Sequence, residues 1–482
     1  MLAQVLGLLV VAEALARFAI ALRVLMRRCG TSQTMAWMLV LLFVPVVSLV
    51  AYMLVGENRL GSRRARNYVD TTSRVRATIE RLVRDRDQNW LGRAPGFESL
   101  QRLLESSSDI PALRGNRLRL LETPDAFFDA LHDDIENATH HVHILTFIWT
   151  TGPRGTRIGQ ALARAARRGV ECRVIVDDVG SKAFEGELVE HMRAAGVRIV
   201  RCLPVNPIRV LLARIDIRNH RKIAVIDGRV AFTGSHNIAD PDFKLLSMPR
   251  VGLWVDATIR IEGPAVHALQ GIFLRDWSAD AHEAVTNESE YFPAIDAPDG
   301  GSLVHVAPSG AGDRGEAIHH AMMALFHDAE KELWIATPYF VPDEATRASL
   351  IIAARCGVDV RLILPARNDH RLVQAAGRSY YDELLGAGVR IWHYDKGLLH
   401  SKAINVDGRV SVITSANLDM RSFFLNLEVT SVVFDEGFSA KVRAMQERYL
   451  ADSTEVTREQ WCARGVHRRF VESVCQVLAP LL

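Results

Sequence analysis

The chain has 482 residues, with 58 Lys and Arg against 56 Asp and Glu, and 49% of its residues are hydrophobic. That length holds two or three domains, and the near-balance of charge gives no global sign of a nucleic-acid binder. Its six cysteines show neither a CxxC pair nor metal-ligand spacing, which suits free thiols in a reducing compartment and weakly favours the cytoplasmic side.

The first run, Leu2 to Leu22, is apolar apart from Glu13 and Arg17, whose i, i+4 spacing lets them pair. It lacks a basic leader and a small-residue cleavage site, so it reads as a membrane helix, with an interfacial helix as the alternative. Met35 to Val55 is an uncharged run of 21 residues, about 31 Å as a helix, which matches the hydrocarbon thickness. Trp37 and Tyr52 stand near its ends as interfacial aromatics, and Pro45 is expected to kink it without preventing a span. Two such helices form a transmembrane hairpin over residues 1–58. Arg23, Arg27 and Arg28 in the loop, set against Arg59, Arg63, Arg64 and Arg66 after it, narrowly favour a cytoplasmic catalytic part.

Nine arginines lie between Arg59 and Arg86, a basic belt of the kind that attracts anionic headgroups. Residues 59–115 are expected as a polar, helical linker ending in SSSDIP. From there strand and helix patterns alternate: a strand at 118–122, a helix after Pro124, a buried strand at 142–149, and another strand at 171–177. This alternation predicts an α/β fold. Residues 355–365 answer 167–177 and residues 386–392 answer 194–200, at offsets of 188 and 192 residues, so the globular part is a duplicated domain. The halves are placed at 116–290 and 300–482, with the boundary in YFPAIDAPDGG. An insertion around PVNPIRVLLARIDIRN precedes the first motif below and reads either as a lip touching lipid or as a surface loop. Near the C-terminus Val471, Val474, Cys475 and Leu478 recur at helical spacing and are expected to pack on the domain.

Two copies of one stretch carry the chemistry. HRKIAVIDGRVAFTGSHN (220–237) and HSKAINVDGRVSVITSANLD (400–419) each hold His-x-Lys, an Asp-Gly turn and Ser-x-Asn. Alternation along a strand puts His220 with Lys222, and His400 with Lys402, on one face. Asp227-Gly228 and Asp407-Gly408 signal tight hairpins, and the return strands carry Ser235 with Asn237 and Ser415 with Asn417. Phosphodiester exchange needs a nucleophile, an acid for the leaving oxygen and cations or dipoles for the phosphoryl oxygens. Two neutral-pH imidazoles, two ammoniums and two Ser-x-Asn pairs supply these without metal or cofactor. Asp227 and Asp407, though motif members, read as turn formers. The trio His140, His141, His143 opens a buried strand with no companion carboxylate and reads as structural.

These paired HxKxxxxD motifs resemble the phospholipase D superfamily. The likeness extends to the bacterial cardiolipin synthases with two membrane helices, through MAWMLVLLFVPVVSLVAYMLVGE, TPYFVPD, GLLHSKAINVDG and NLDMRS. Thr414, where the first copy has Gly234, departs from the pattern. The resemblance implies two α/β sandwich domains sharing one pseudo-twofold site behind the membrane hairpin. It implies that His220 is the nucleophile and His400 the acid and base, and that Glu428 orients a histidine, with Asp256 as the first-half candidate. Ser235, Asn237, Ser415 and Asn417 would bind the substrate phosphate. The implied partners are phosphatidylglycerol and anionic membrane lipids in the bacterial inner membrane. The implied activity is phosphatidyl transfer to a second phosphatidylglycerol, with hydrolysis by water, as in a membrane-bound phospholipase D, as the alternative. A nuclease is disfavoured by the near-neutral charge.

Overall fold

The computed structural model describes residues 2–27, 31–57, 59, 62–83, 95–107, 110–205, 214, 216–243, 251–281, 288–295, 300–310, 313 and 316–477. The chain forms two compact units, one of residues 1–62 with 204–217, the other of 63–203 with 218–482.

In the smaller unit, helix Leu2–Met26 is followed by Thr31–Phe43 and Val47–Val55. The span expected over Met35–Val55 is therefore two helices, broken at Pro45. Proline supplies no N–H and disfavours helical backbone before it, and Val46 takes φ 61. Glu13 pairs with Arg17 at 2.7 Å, as its spacing predicted, and also accepts the Val46 N–H at 3.1 Å. Trp37 and Tyr52, expected at opposite ends of one helix, instead meet edge to face with ring centroids 5.1 Å apart. Among the described residues, Gln4–Met26 is the one helix long and apolar enough to cross a membrane. Most of the arginine-studded insertion, residues 206–213 and 215, lies outside the described residues.

The larger unit carries one fifteen-stranded mixed sheet. Its first half supplies β1 (Leu113–Leu121), β2 (His141–Thr146), β3 (Glu171–Asp177), β4 (Arg198–Cys202), β5 (Ile223–Ile226), β6 (Val230–Gly234), β7 (Leu253–Val255) and β8 (Thr258–Glu262). The second supplies β9 (Ser302–Ser309), β10 (Glu332–Ala336), β11 (Phe340–Val341), β12 (Asp359–Pro365), β13 (Arg390–Tyr394), β14 (Gly397–Leu399), β15 (Ala403–Val406), β16 (Val410–Thr414), β17 (Leu418–Asp419), β18 (Glu428–Phe434) and β19 (Ser453–Val456). The order runs β4-β3-β2-β5-β6-β8-β1, crosses a seam to β9, and continues β18-β16-β15-β10-β12-β13-β19. Read outward from the seam the first seven strands of each half correspond, and β19 is an added edge strand of the second. β7 and β14 stand apart as a parallel pair linking the halves.

Each half of the duplication has a core of its own, and a third cluster ties the two together. The third joins Ile223, Ile259 and Ile272 of the first half to Val304, Ala403, Ile413 and Val442 of the second. Helix Ser62–Val83, expected as linker, is built into this cluster because Tyr68, Val75 and Ile79 make one apolar face. The Tyr68 hydroxyl donates to Asp313 at 2.8 Å, and Arg64 of the basic belt is used internally by Asp280 at 2.7 Å. In the C-terminal helix Val466–Val477, Cys475 is buried as expected, but Val471 and Val474 are exposed, because the inner face is taken by Glu472 and Cys475. Leu478 lies outside the described residues.

Arg221, the residue between His220 and Lys222, is fully buried at the seam. It donates to Asp276 at 2.7 and 2.8 Å, to Asp313 and the Ser309 carbonyl at 2.7 and 3.0 Å, and to the Glu428 carbonyl at 2.9 Å. Arg221→Met leaves two buried carboxylates short of their counter-ion. Denaturant titration of the full chain should show a loss of about 3–5 kcal/mol; a loss below about 1 kcal/mol would mean that water or other arginines replace the guanidinium.

Candidate active site

Each motif forms a hairpin, β5–β6 and β15–β16. The turns close through Arg229 N–H to the Ile226 carbonyl at 3.0 Å and Arg409 N–H to the Val406 carbonyl at 2.9 Å. Asp227 and Gly228 have φ 52 and 63, and Asp407 and Gly408 have φ 53 and 67, the left-handed pair of a type I′ turn. Asp227 then accepts the Thr139, His140 and His141 N–H groups at 2.8–2.9 Å. Asp407 accepts those of Glu330, Lys331 and Glu332 at 2.8–2.9 Å. Both carboxylates are spent on the backbone at the start of the neighbouring strand, away from the histidines, in keeping with the turn role read from the sequence.

At the other end of the hairpins the two halves exchange carboxylates. His220 Nδ1–H donates to Glu428, both of whose oxygens lie at 3.0 Å, and His400 Nδ1–H donates to Asp256 at 2.6 Å. Glu428 thus serves the first-half histidine and Asp256 the second-half one. Backbone pairing enforces this crossing: His220 N–H donates to the Leu427 carbonyl and His400 N–H to the Val255 carbonyl, at 2.9 and 2.8 Å. With Nδ1 held, the tautomer assigned to each ring leaves Nε2 free to act.

Lys222 Nζ donates to the His220 carbonyl at 2.7 Å, and Lys402 Nζ to the His400 carbonyl at 2.8 Å. Lys402 also reaches His400 Nε2 at 3.1 Å; among the described residues His220 Nε2 has no such partner. All four side chains are buried. Burial pulls the Lys222 ammonium down to about 7, against the pull of Glu428. It lowers Lys402 to about 8, against Asp256 and Glu428. His400 is lowered to about 3 by burial, with Lys402 adding to the effect. His220 is lowered by burial against Glu428, and it also feels the lysine of the other half. For Asp256 and Glu428 burial acts upward, but the histidine and lysine beside each outweigh it and hold both carboxyls below their usual range. The resting site is therefore two neutral imidazoles backed by two carboxylates.

Asn237 lends its carbonyl to the Ile148 N–H at 3.2 Å, and Asn417 Oδ1 has no partner among the described residues. The serines differ from expectation. Ser235 Oγ is fully buried against the Ala257 backbone, and Ser415 Oγ donates to Glu428 and accepts the Val429 N–H at 2.9 Å. They brace the carboxylate strands instead of facing the site. The substitution of Thr for Gly costs nothing here. Gly234 sits at φ 155 where a Cβ would strike the Ala257 carbonyl, while Thr414 keeps ordinary backbone and bonds Thr430 at 2.7 Å.

Two aromatics escaped the sequence reading. The Phe147 ring lies 5.0 Å from His220 and Trp254 lies 4.5 Å from His400. With Ile148, Val251 and Leu398 they make an apolar collar beside the histidines; their only sequence signal was an aromatic at the end of a strand. His141 and His143 instead bond Gln270 at 3.0 and 3.3 Å. Glu316, His319 and His320 form a group with metal-ligand spacing, but His319 is held by Asp343 at 3.1 Å and His320 by Glu316 at 3.2 Å.

A duplicated α/β sheet with two His-Lys pairs at its seam defines the phospholipase D class of phosphodiester-transfer enzymes. A solved phosphatidylserine synthase from Haemophilus influenzae shares the fold, at 14% identity with a TM-score of 0.57, covering 79% of this chain and 97% of that one. Residues 131–277 and 322–450 match the family described as cardiolipin synthase, PLD-like domain, and residues 17–57 match a phospholipase D-nuclease N-terminal family. The proteins called cardiolipin synthase A from Yersinia pseudotuberculosis and Klebsiella pneumoniae are each 36% identical over 467 residues, 96% of either chain. The chain belongs to the cardiolipin synthase family and is a membrane-associated phosphatidyltransferase.

The lysines set a pH dependence. Both must be protonated to hold phosphoryl oxygens, so kcat/KM should be full below their free-enzyme values and fall as pH rises through about 7 to 8. A bound phosphodiester raises both lysines, which moves the corresponding limb in kcat to higher pH. A kcat/KM that stays flat to about pH 10 would show that the ammoniums keep their ordinary values.

Proposed function

We propose that the enzyme transfers the phosphatidyl group of one phosphatidylglycerol to the glycerol hydroxyl of another, giving cardiolipin and glycerol. The observation that carries this mechanism is the crossed pairing of His220 with Glu428 and of His400 with Asp256. His220 Nε2, free of any lysine, attacks phosphorus, and the bond to the leaving glycerol breaks as His400 Nε2 gives that oxygen a proton. The phosphodiester's negative charge raises the buried His400, whose Nε2 takes up that proton from solvent as the substrate binds. Its arrival also draws Lys402 from His400 Nε2 toward a phosphoryl oxygen. The phospho-His220 intermediate is then opened by the acceptor hydroxyl, whose proton His400 takes back. Lys222, Lys402, Asn237 and Asn417 hold the equatorial oxygens as charge develops there, while Ser235 and Ser415 keep the carboxylate strands in place.

A lipid acceptor is favoured over water by the apolar collar of Phe147, Ile148, Trp254 and Leu398. The arginine distribution around the apolar segments supports a cytoplasmic larger unit.

The test combines products and intermediate. His220→Ala and His400→Ala should each lower transfer by at least about a thousandfold with the fold kept. Wild-type enzyme given phosphatidylglycerol in mixed micelles should yield cardiolipin and glycerol in equal amounts, with phosphatidic acid as a minor product. Rapid quench at alkaline pH and peptide mass spectrometry should find the phosphatidyl adduct on His220. An adduct confined to His400 would reverse the two roles, and active turnover with no adduct on either would replace the covalent route by direct transfer.

A further inference from the structure

The C-terminal helix Val466–Val477 carries its apolar residues on the outside. Its inner face presents Glu472 and Cys475, whereas Val466, Phe470, Val474 and Val477 are 81%, 67%, 45% and 79% exposed. These four recur at i, i+4, i+8 and i+11, so they form one stripe along the outer surface. His467 and Arg469 are exposed on its two flanks, while Arg468, four residues before Glu472, is exposed on the opposite side. Helix Val466–Val477 packs on helix Arg371–Arg378, whose first two residues, Arg371 and Leu372, are exposed as well. Gly377 of that helix in turn lies against the Phe340 carbonyl of β11, and β11 pairs with β17 immediately after Asn417. The stripe is thus separated from the active site by one helix and one short ribbon.

We infer that this stripe is a second membrane contact, lying in the headgroup layer of an anionic phospholipid bilayer. The occupant follows from charge complementarity. An apolar ridge flanked by Arg469 on one side and His467 on the other matches a surface that is apolar beneath and negative above. A second copy of the chain fits poorly, because a twofold contact would set one basic flank against another. A helix so placed seats the neighbouring catalytic ribbon at the depth of lipid headgroups. The inference does not depend on which histidine attacks.

The experiment uses the full chain reconstituted in vesicles, with a solvatochromic fluorescent residue in place of Phe470, whose exposure lets the replacement leave the packing alone. Vesicles are phosphatidylcholine with or without phosphatidylglycerol, each with and without a nitroxide on the upper acyl chain. In phosphatidylglycerol vesicles the emission should shift to the blue and be quenched several-fold by the nitroxide. H467E/R469E should return most of the intensity, and a reporter at exposed Glu447 should stay aqueous throughout. Aqueous, unquenched emission from position 470 in phosphatidylglycerol vesicles would overturn the proposal. So would blue-shifted emission that ignores the nitroxide and disappears on diluting the protein in the membrane, the mark of a contact between copies.

Discussion

The hydrogen bond that each catalytic histidine makes across the seam is the constraint on which the rest of the larger unit depends. A carboxylate taken from the opposite half can hold an imidazole only if the halves are fixed to within a few tenths of an ångström. Two independently folded domains tethered by a linker would not keep His400 Nδ1 within 2.6 Å of Asp256. The shared core, the β1–β9 seam and the β7–β14 pairing supply that rigidity, and Arg221 ties β18 to the first motif through the Glu428 carbonyl. The seam is therefore part of the site's support, not merely the place where a duplication closed.

The same crossing makes a buried charged site tolerable. Two lysines, two histidines and two carboxylates leave bulk water here, and each would be costly alone. Paired, the carboxylates remain ionised and offset the desolvation of the lysines, while both rings stay neutral until a phosphodiester adds its own charge. The ordinary values of these groups would leave a cationic cluster that holds phosphate tightly in ground and transition state alike. A site lowered toward neutrality by burial instead strengthens its hold as charge develops on the phosphoryl oxygens.

Much of this was legible in the sequence because strand periodicity and the duplicated motif report backbone geometry directly. His, Lys and Asn at spacing two fall on one face of a hairpin, and the Asp-Gly turns form as their residue types demand. What escaped depends on partners far along the chain. Nothing near Ser415 announces that its hydroxyl will be consumed by Glu428, and nothing near Asp256 says that it belongs to His400. The second apolar segment misled for a related reason. Composition reports that a helix can span, but Pro45 and the carboxylate of Glu13, which takes the freed Val46 N–H, decide where it breaks. The region after Arg59 read as linker because its arginines dominate the average, hiding the Tyr68, Val75 and Ile79 face that enters the core.

The two halves are near copies, yet their lysines are not equivalent. Lys402 bonds His400 Nε2, whereas Lys222 stays with the His220 carbonyl beneath the Phe147 ring. In a symmetric pair either histidine could attack, and half of all encounters would begin with the acid on the wrong side of the phosphorus. Capping one Nε2 with an ammonium removes that ambiguity. In the proposed mechanism the uncapped His220 is the nucleophile, and an anionic phosphate that draws the lysine from His400 opens Nε2 to take up the proton it must donate. The proposed division of labour thus rests on a single hydrogen bond of 3.1 Å laid over a symmetric scaffold.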